Sequence, residues 1–241
     1  GKYAFGKCSS FQIEIPSSIT EISDGLFQEC YLSQITLPQS LKKIGRYAFM
    51  NTMINQISIP SSINLIECSA FENSSITIIS IPSSINKIEN SVFKDCHYLT
   101  EISIPSSVTS IGSFSFSGCR SLTTIAFEAP SSVTFIDDFA FCDCYSLIKI
   151  PLPSSLKNIG NSAFSRTKLD QISIPSSVNF IGSSAFSNCT SLWMVTFETV
   201  SLNSIEENAF SNCFSLTKIV IPLSVTSIKV CAFENCSSLK Q

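Results

Sequence analysis

The sequence predicts a repeat solenoid, mostly β and irregular, wound from about ten coils with one short parallel strand per coil. Three observations predict it. A phenylalanine recurs at positions 5, 27, 49, 71, 93, 116, 141, 164, 186, 210 and 233, a period of 22–25 residues. Five residues before each of these, from the second onward, stands an isoleucine, from Ile22 through Ile111 and Ile136 to Ile228. Ahead of a recurrent proline runs an alternating pair such as Ile102-Ser103-Ile104. A fixed period of this length is the signature of stacked repeats.

Each element of the unit has a physical reading. Period-two alternation of β-branched residues describes a short strand with one buried face. Proline, as at Pro105, has no N–H for a ladder and ends the strand. Eight residues before the phenylalanine lies an aliphatic column, Ile19, Leu41, Ile63, Ile85, Val108, Val133, Leu156, Val178, Leu202 and Val225. The segment from this column to the constant isoleucine has room for a second short strand. The serine-rich stretch through the phenylalanine is too short for an independent helix and predicts a turn, at most one 3₁₀-like turn. The glycine column before it is loose: Gly45, Gly112, Gly160 and Gly182 alternate with Ser23, Glu67, Glu89, Asp137, Glu206 and Lys229. That looseness predicts a turn with no demand for a left-handed backbone. One unit cannot bury its single apolar face, whereas stacked copies can. At about 4.8 Å per strand, ten coils span roughly 50 Å.

Composition supports an ordered chain and excludes several functions. Of 241 residues, 44% are apolar and 14% charged, which excludes a disordered segment. The net charge of −3 provides no basic field for nucleic acid or anionic lipid. No apolar run reaches the length of a membrane helix, so no membrane insertion is expected within these residues. Residues 1–241 read as a single solenoid domain. With Gly1 at its start and no cap pattern at either end, the chain is expected to be a slice of a longer protein. Uncapped coil faces also raise the expectation of a homodimer.

The columns of "LTEISIPSSVTSIGSFSFSGC", Leu99 to Cys119, match a known pattern. The sequence resembles the leucine-rich repeats of the BspA-like, treponemal type, over essentially its whole length. The resemblance implies a surface protein that adheres to host extracellular matrix or to other cells, hence a location at the cell surface or in the secreted fraction. An intracellular, cytoplasmic interaction scaffold of the same fold is the alternative.

Eleven cysteines raise the question of disulfides or metal. Eight fall three residues after the phenylalanine, where other repeats carry Thr52, Ser74 or Thr167. A slot shared by Cys, Ser and Thr reads as a small packing site holding reduced thiols. Cys68, Cys142 and Cys231 lie off register, and Cys142-Asp143-Cys144 lacks zinc-knuckle spacing. An exposed off-register thiol is a candidate for intermolecular links. The single histidine, His97, is read as an exposed loop residue, because it follows Cys96 directly and adjacent side chains diverge. With one histidine, no phosphate loop and no dinucleotide fingerprint, neither an enzyme nor a cofactor is expected.

A protein partner is the remaining expectation. The outward positions of the first strand are mostly small and polar, but one coil carries Trp193 and Met194. Neighbouring coils place Ile148, Lys149, Gln171 and Lys218 beside them. A lone tryptophan amid Ser and Thr is what a binding hot spot looks like. The competing reading has Trp193 folding over a neighbour to fill a gap, with the insertion at Glu198, Thr199 and Val200 reshaping that coil. Three sequons place Asn73, Asn188 and Asn235 two residues after the phenylalanine, as candidate N-glycosylation sites on the turn edge.

Overall fold

A strand of two to four residues holds its place only if its backbone groups are satisfied by a neighbour. In the computed structural model, which describes residues 1–8, 13–199 and 201–240, the neighbour is always the next coil. The first strand of the coil appears as Gln56–Ile57, Ile78–Ile79, Glu101–Ile104, Thr124–Phe127, Gln171–Ile174, Met194–Phe197 and Lys218–Ile219. Bridges Glu14↔Thr36 and Thr124↔Lys149 mark the same position in other coils. Every pairing is parallel and in register, as in Ile102↔Ile125 and Ile172↔Val195.

The second strand forms as well, so each coil carries two short parallel segments rather than one. It recurs ten times, from Glu21–Ile22 to Ser227–Ile228. Its pairing divides into three blocks, the longest running over five coils from Lys87–Ile88 to Phe180–Ile181. No helix occurs among the described residues.

The core is one continuous cylinder of columns. The constant isoleucines from Ile22 to Ile205 are at most 5% exposed. Ile228, predicted to be buried like the others, is 54% exposed, because no described coil stacks on its outer side. At the centre stand the phenylalanines. From Phe5 to Phe233 their rings form an unbroken stack with centroids 5.2–5.7 Å apart and interplanar angles of 3–19°. From Phe27 to Phe210 these side chains are fully buried.

At the loose glycine column the backbone is not left-handed, in keeping with the expectation, but the turn around the phenylalanine makes that demand at other positions. The two positions flanking it at a distance of two residues have positive φ throughout. On one side these are residues such as Tyr47 (57°), Phe114 (58°) and Phe139 (57°), and on the other Asn73 (52°), Asp95 (57°) and Asn188 (60°). The turn therefore demands a left-handed backbone twice per coil, and only Gly25 and Gly118 meet the demand with glycine. Hydrogen bonding over-determines the strain. Alternate amides close tight turns within the coil, as Cys119 N to Phe116 O at 3.1 Å. The intervening ones cross to the next coil, as Phe116 N to Ala140 O at 2.9 Å and Phe141 N to Ala163 O at 2.8 Å.

Serine and threonine act as staples between coils. Ser107 Oγ donates to Ile85 O at 2.6 Å, and Ser155 Oγ to Val133 O at 2.7 Å. Thr123 Oγ1 donates to Thr100 O and Thr134 Oγ1 to Thr109 O, each at 3.1 Å. In these contacts the later coil donates to a carbonyl of the earlier one. The polar composition of the repeat is thus structural.

The loose glycines follow a rule set by the coil before them. Asp24, Asn90, Asp138 and Asn161 each fold a side-chain oxygen toward the next coil. There it accepts the amides of Arg46 (3.1 Å), Ser113 (3.0 Å), Asn161 (2.7 Å) and Ser183 (2.9 Å). A Cβ on Gly45, Gly112, Gly160 or Gly182 would lie 2.6–2.7 Å from that same oxygen. Backbone atoms of the preceding coil lie within 2.5–2.9 Å of the same Cβ position, so glycine in these four coils goes with a close backbone approach as well as with an Asx cap. Where the preceding residue is Arg46, Cys68, Ser113, Ser183 or Glu207, the column carries a side chain.

Two stability outcomes follow from this packing. Phe141→Ala is expected to cost about 3–5 kcal/mol in denaturant unfolding, and Phe5→Ala, at the partly exposed end of the stack, clearly less. Gly112→Ala is expected to destabilise by about 1–3 kcal/mol through overpacking against Asn90. Adding Asn90→Ser should recover part of that loss, a coupling readable in a double-mutant cycle.

Candidate binding face

Alternation puts every second residue of the first strand on the outer face, so that face is built from residues the core does not use. In the Gln171–Ile174 strand, Gln171 and Ser173 are exposed while Ile172 and Ile174 are buried. Register then fixes which outward residues meet. Gln171 pairs with Met194, and Met194 with Lys218. In the column beside it, Asp170 N donates to Ile148 O at 3.1 Å, Trp193 N to Asp170 O at 2.8 Å, and Thr217 N to Trp193 O at 3.0 Å. The residues singled out in the sequence, Ile148, Lys149, Gln171, Trp193, Met194 and Lys218, thus fall into two adjacent columns over four coils.

Trp193 is 44% and Ile148 41% exposed, while Met194 is half-buried. Among the described residues no aromatic ring stacks on Trp193. Its backbone is held on both sides, so the indole is carried on a fixed support. Of the insertion said to reshape this coil, Glu198 and Thr199 are exposed and Val200 lies outside the described residues. Next to the tryptophan, Lys149, Pro151, Gln171, Ser173, Met194 and Thr196 line an open depression of about 500 Å³. Its floor is apolar and its rim carries one ammonium, one amide and hydroxyls. Such a face offers apolar contact with hydrogen bonds around it and holds no group poised for bond-making.

The cysteine slot has a sharper rule than small size. Cys96, Cys119, Cys144, Cys189 and Cys213 each donate the thiol to the phenylalanine carbonyl of the preceding coil, at 3.0–3.2 Å. Thr52 and Thr167 donate to their own coil's phenylalanine carbonyl instead, at 2.8 Å. The slot takes Cys, Ser or Thr because all three are small donors. Burial pushes the Cys96 thiol up to about 12 and that of Cys189 to about 11, and raises Cys119, Cys144 and Cys213 well above the ordinary thiol range. Of the off-register cysteines, Cys231 is exposed, Cys68 is partly buried, and Cys142 is buried with its thiol raised to about 12. His97 is half-buried rather than exposed: its Nδ1 lies 2.8 Å from Gly118 O. Its neighbour Cys96 is engaged with Phe71 O and lies 3.4 Å from the Ser74 hydroxyl. The two form no dyad.

The sequon asparagines lie on the turn edge. Asn73 and Asn235 are exposed and Asn188 partly so. Asn73 Nδ2 donates to Asn51 Oδ1 and Asn235 Nδ2 to Asn212 Oδ1, each at 2.8 Å. Sequence reasoning missed this asparagine ladder, whose signal is the recurrence of Asn and Asp two residues after the phenylalanine.

Parallel ladders, an aromatic spine and a long polar face define the class: a solenoid that works through its surface. The chain belongs to the BspA type leucine-rich repeat family, whose profile matches six copies over residues 1–123, 86–199 and 121–240. This repeat fold is one used for protein interaction. A leucine-rich repeat protein from Bacteroides ovatus is 29% identical, with a TM-score of 0.77, over 99% of this chain and 62% of that one. The T. pallidum leucine rich repeat protein is 32% identical, with a TM-score of 0.64, over 68% of this chain and 78% of that one. A leucine rich cell surface protein from Faecalibacterium prausnitzii is 26% identical, with a TM-score of 0.51, over 92% and 76%. No curated protein matches. No helix of the described residues is long and apolar enough to cross a membrane.

Thiol chemistry checks this geometry. A water-soluble thiol reagent at pH 8 is expected to modify the exposed Cys231 in the native protein. It should leave Cys96, Cys119, Cys144, Cys189 and Cys213 unmodified until the chain is unfolded, as read by mass spectrometry of labelled peptides.

Proposed function

We propose that this chain is a non-catalytic recognition module, displayed at a cell surface, that binds a protein partner through its first-strand face. The observation that carries the reading is the half-exposed Trp193 on a rigid ladder, flanked by Ile148 and Met194 and by the polar Lys149, Gln171 and Lys218. Aromatic anchors with a polar surround supply most of the affinity at protein interfaces. The F. prausnitzii relative, described as a cell surface protein, supports the location, and matrix or host-surface proteins are the partner class that the family resemblance suggests. Asn73, Asn188 and Asn235 are proposed glycan sites, and homodimerisation a separate equilibrium that light scattering over a dilution series would read.

The test is binding to immobilised matrix proteins. Trp193→Ala is expected to weaken binding by about 30-fold, the effect of losing a hot-spot side chain. Its melting point should stay within about 2 °C of the wild type, because a half-exposed side chain on a fixed support adds little to stability. A large fall in melting temperature with unchanged binding would show that the indole is a packing residue.

A further inference from the structure

The loops that follow the cysteine slot differ in length by one residue, and at one place the difference makes a notch. From Phe141 to Leu147, and from Phe186 to Leu192, the spacing is six residues; from Phe164 to Leu169 it is five. All three leucines are buried at the same level. In the longer loops the extra residue forms a protruding turn, closed by Leu147 N to Cys144 O and by Leu192 N to Cys189 O, each at 3.0 Å. The shorter coil has no such turn, so the exposed Arg166 and Lys168 line a gap between the two longer loops. The result is a depression of about 420 Å³, walled by Tyr145 on one side and by Asn188, Thr190 and Ser191 on the other.

The chemistry of this notch is unlike that of the rest of the chain. Arg166 and Lys168 line it, with Asp143 as the opposing carboxylate, in a protein whose net charge is −3. Asp143 serves as a brace. Its Oδ1 accepts the Tyr145 hydroxyl at 2.8 Å and meets Arg166 Nη1 at 3.4 Å, so the phenol and the guanidinium are held in place before any ligand arrives. Arg120 sits 6.0 Å from the centre of the Tyr145 ring. Lys168 is exposed and has no ion-pair partner among the described residues. Most guanidinium donors of Arg166, the Lys168 ammonium and the hydroxyls of Thr190 and Ser191 remain available to a guest.

We propose that this notch binds an anionic sugar residue, one carrying a carboxylate or a sulfate. Arg166 and Lys168 take the anionic group, Tyr145 offers a flat edge to the ring, and Asn188, Thr190 and Ser191 meet its hydroxyls. A guanidinium can donate to two oxygens at once, those of a planar carboxylate or two of the three terminal oxygens of a tetrahedral sulfate. An open site with a few placed polar groups suits a hydrated ligand better than an apolar one. The site lies on the loop edge of the coil, apart from the tryptophan face, and does not depend on that face binding anything. Asn188 lines it, so a glycan attached there would compete with the guest.

Unglycosylated protein would be titrated by calorimetry with three probes: sialyllactose, a sulfated heparin tetrasaccharide, and neutral lactose. Binding of either anionic probe with no heat from lactose is expected, and which one binds identifies the anion. Arg166→Gln with Lys168→Gln should weaken it at least about tenfold, and raised salt should weaken it as well. A single glycine inserted after Thr167, which restores the six-residue spacing, should abolish it, whereas Trp193→Ala should leave it unchanged. Thermal unfolding of each variant shows that the coil is intact. Absence of binding by both anionic probes, equal binding of lactose, retention of affinity in the double variant, or tighter binding of a phosphotyrosine peptide than of either sugar would overturn the proposal.

Discussion

The backbone of each coil is satisfied only by its neighbours, and the rest of the structure depends on that constraint. Strands of two residues have no independent stability. They persist here because their amides reach a second copy of the same segment one strand spacing away. The phenylalanine sits where this stacking is tightest. Its ring lies on the rings above and below, its amide donates to the next coil, and its carbonyl accepts a turn amide together with, in many coils, a thiol or hydroxyl. The backbone bonds fix the position, and the fully buried ring stack is what selects phenylalanine there in every coil of this chain.

Polar side chains take part in the same constraint. In a usual globule Ser and Thr sit outside and leave the core to others. Here they reach across the joint between coils and occupy carbonyls that the short strands leave open. Free thiols do the same from inside. The low charge of the chain is therefore compatible with a firmly held stack. Most ion pairs lie on the surface, such as Lys2 with Asp24 and Lys7 with Glu29, and contribute little. The exposed face of the first strand is thereby a support whose shape is fixed by register, so that side chains such as Trp193 are presented rather than searched for.

Much of this was legible in the residues themselves. The buried columns, the parallel stacking and the meeting of Ile148, Gln171, Met194 and Lys218 on one face all follow from counting, because a solenoid turns sequence phase directly into position. Three features escaped that reading for different reasons. The left-handed positions on either side of the phenylalanine carry Tyr, Ser, Phe, Lys, Glu and Asn, so no glycine signal marks them; the hydrogen-bond pattern imposes the conformation. The glycine rule is a relation between a residue and one in the coil before it, invisible when each column is read alone. The notch beside Tyr145 comes from a single missing residue; the Phe164-to-Phe186 period is shorter by that residue, but the period alone does not say which loop lost it, and only the phenylalanine-to-leucine spacing does.

The dependence of Gly45, Gly112, Gly160 and Gly182 on the coil before them also governs how such a chain can grow. The unit containing Gly160 and Asn161 has both halves of the match: it leaves room for an incoming carboxamide or carboxylate and sends one on. Copied in tandem, it would fit against itself. The unit containing Glu89 and Asn90 sends a side chain forward but keeps no room for one, so a duplicate would collide with its parent at the first joint. Lengthening by unequal crossover is in this way filtered by local grammar, and some coils are free to multiply while others can only be inherited in their present order.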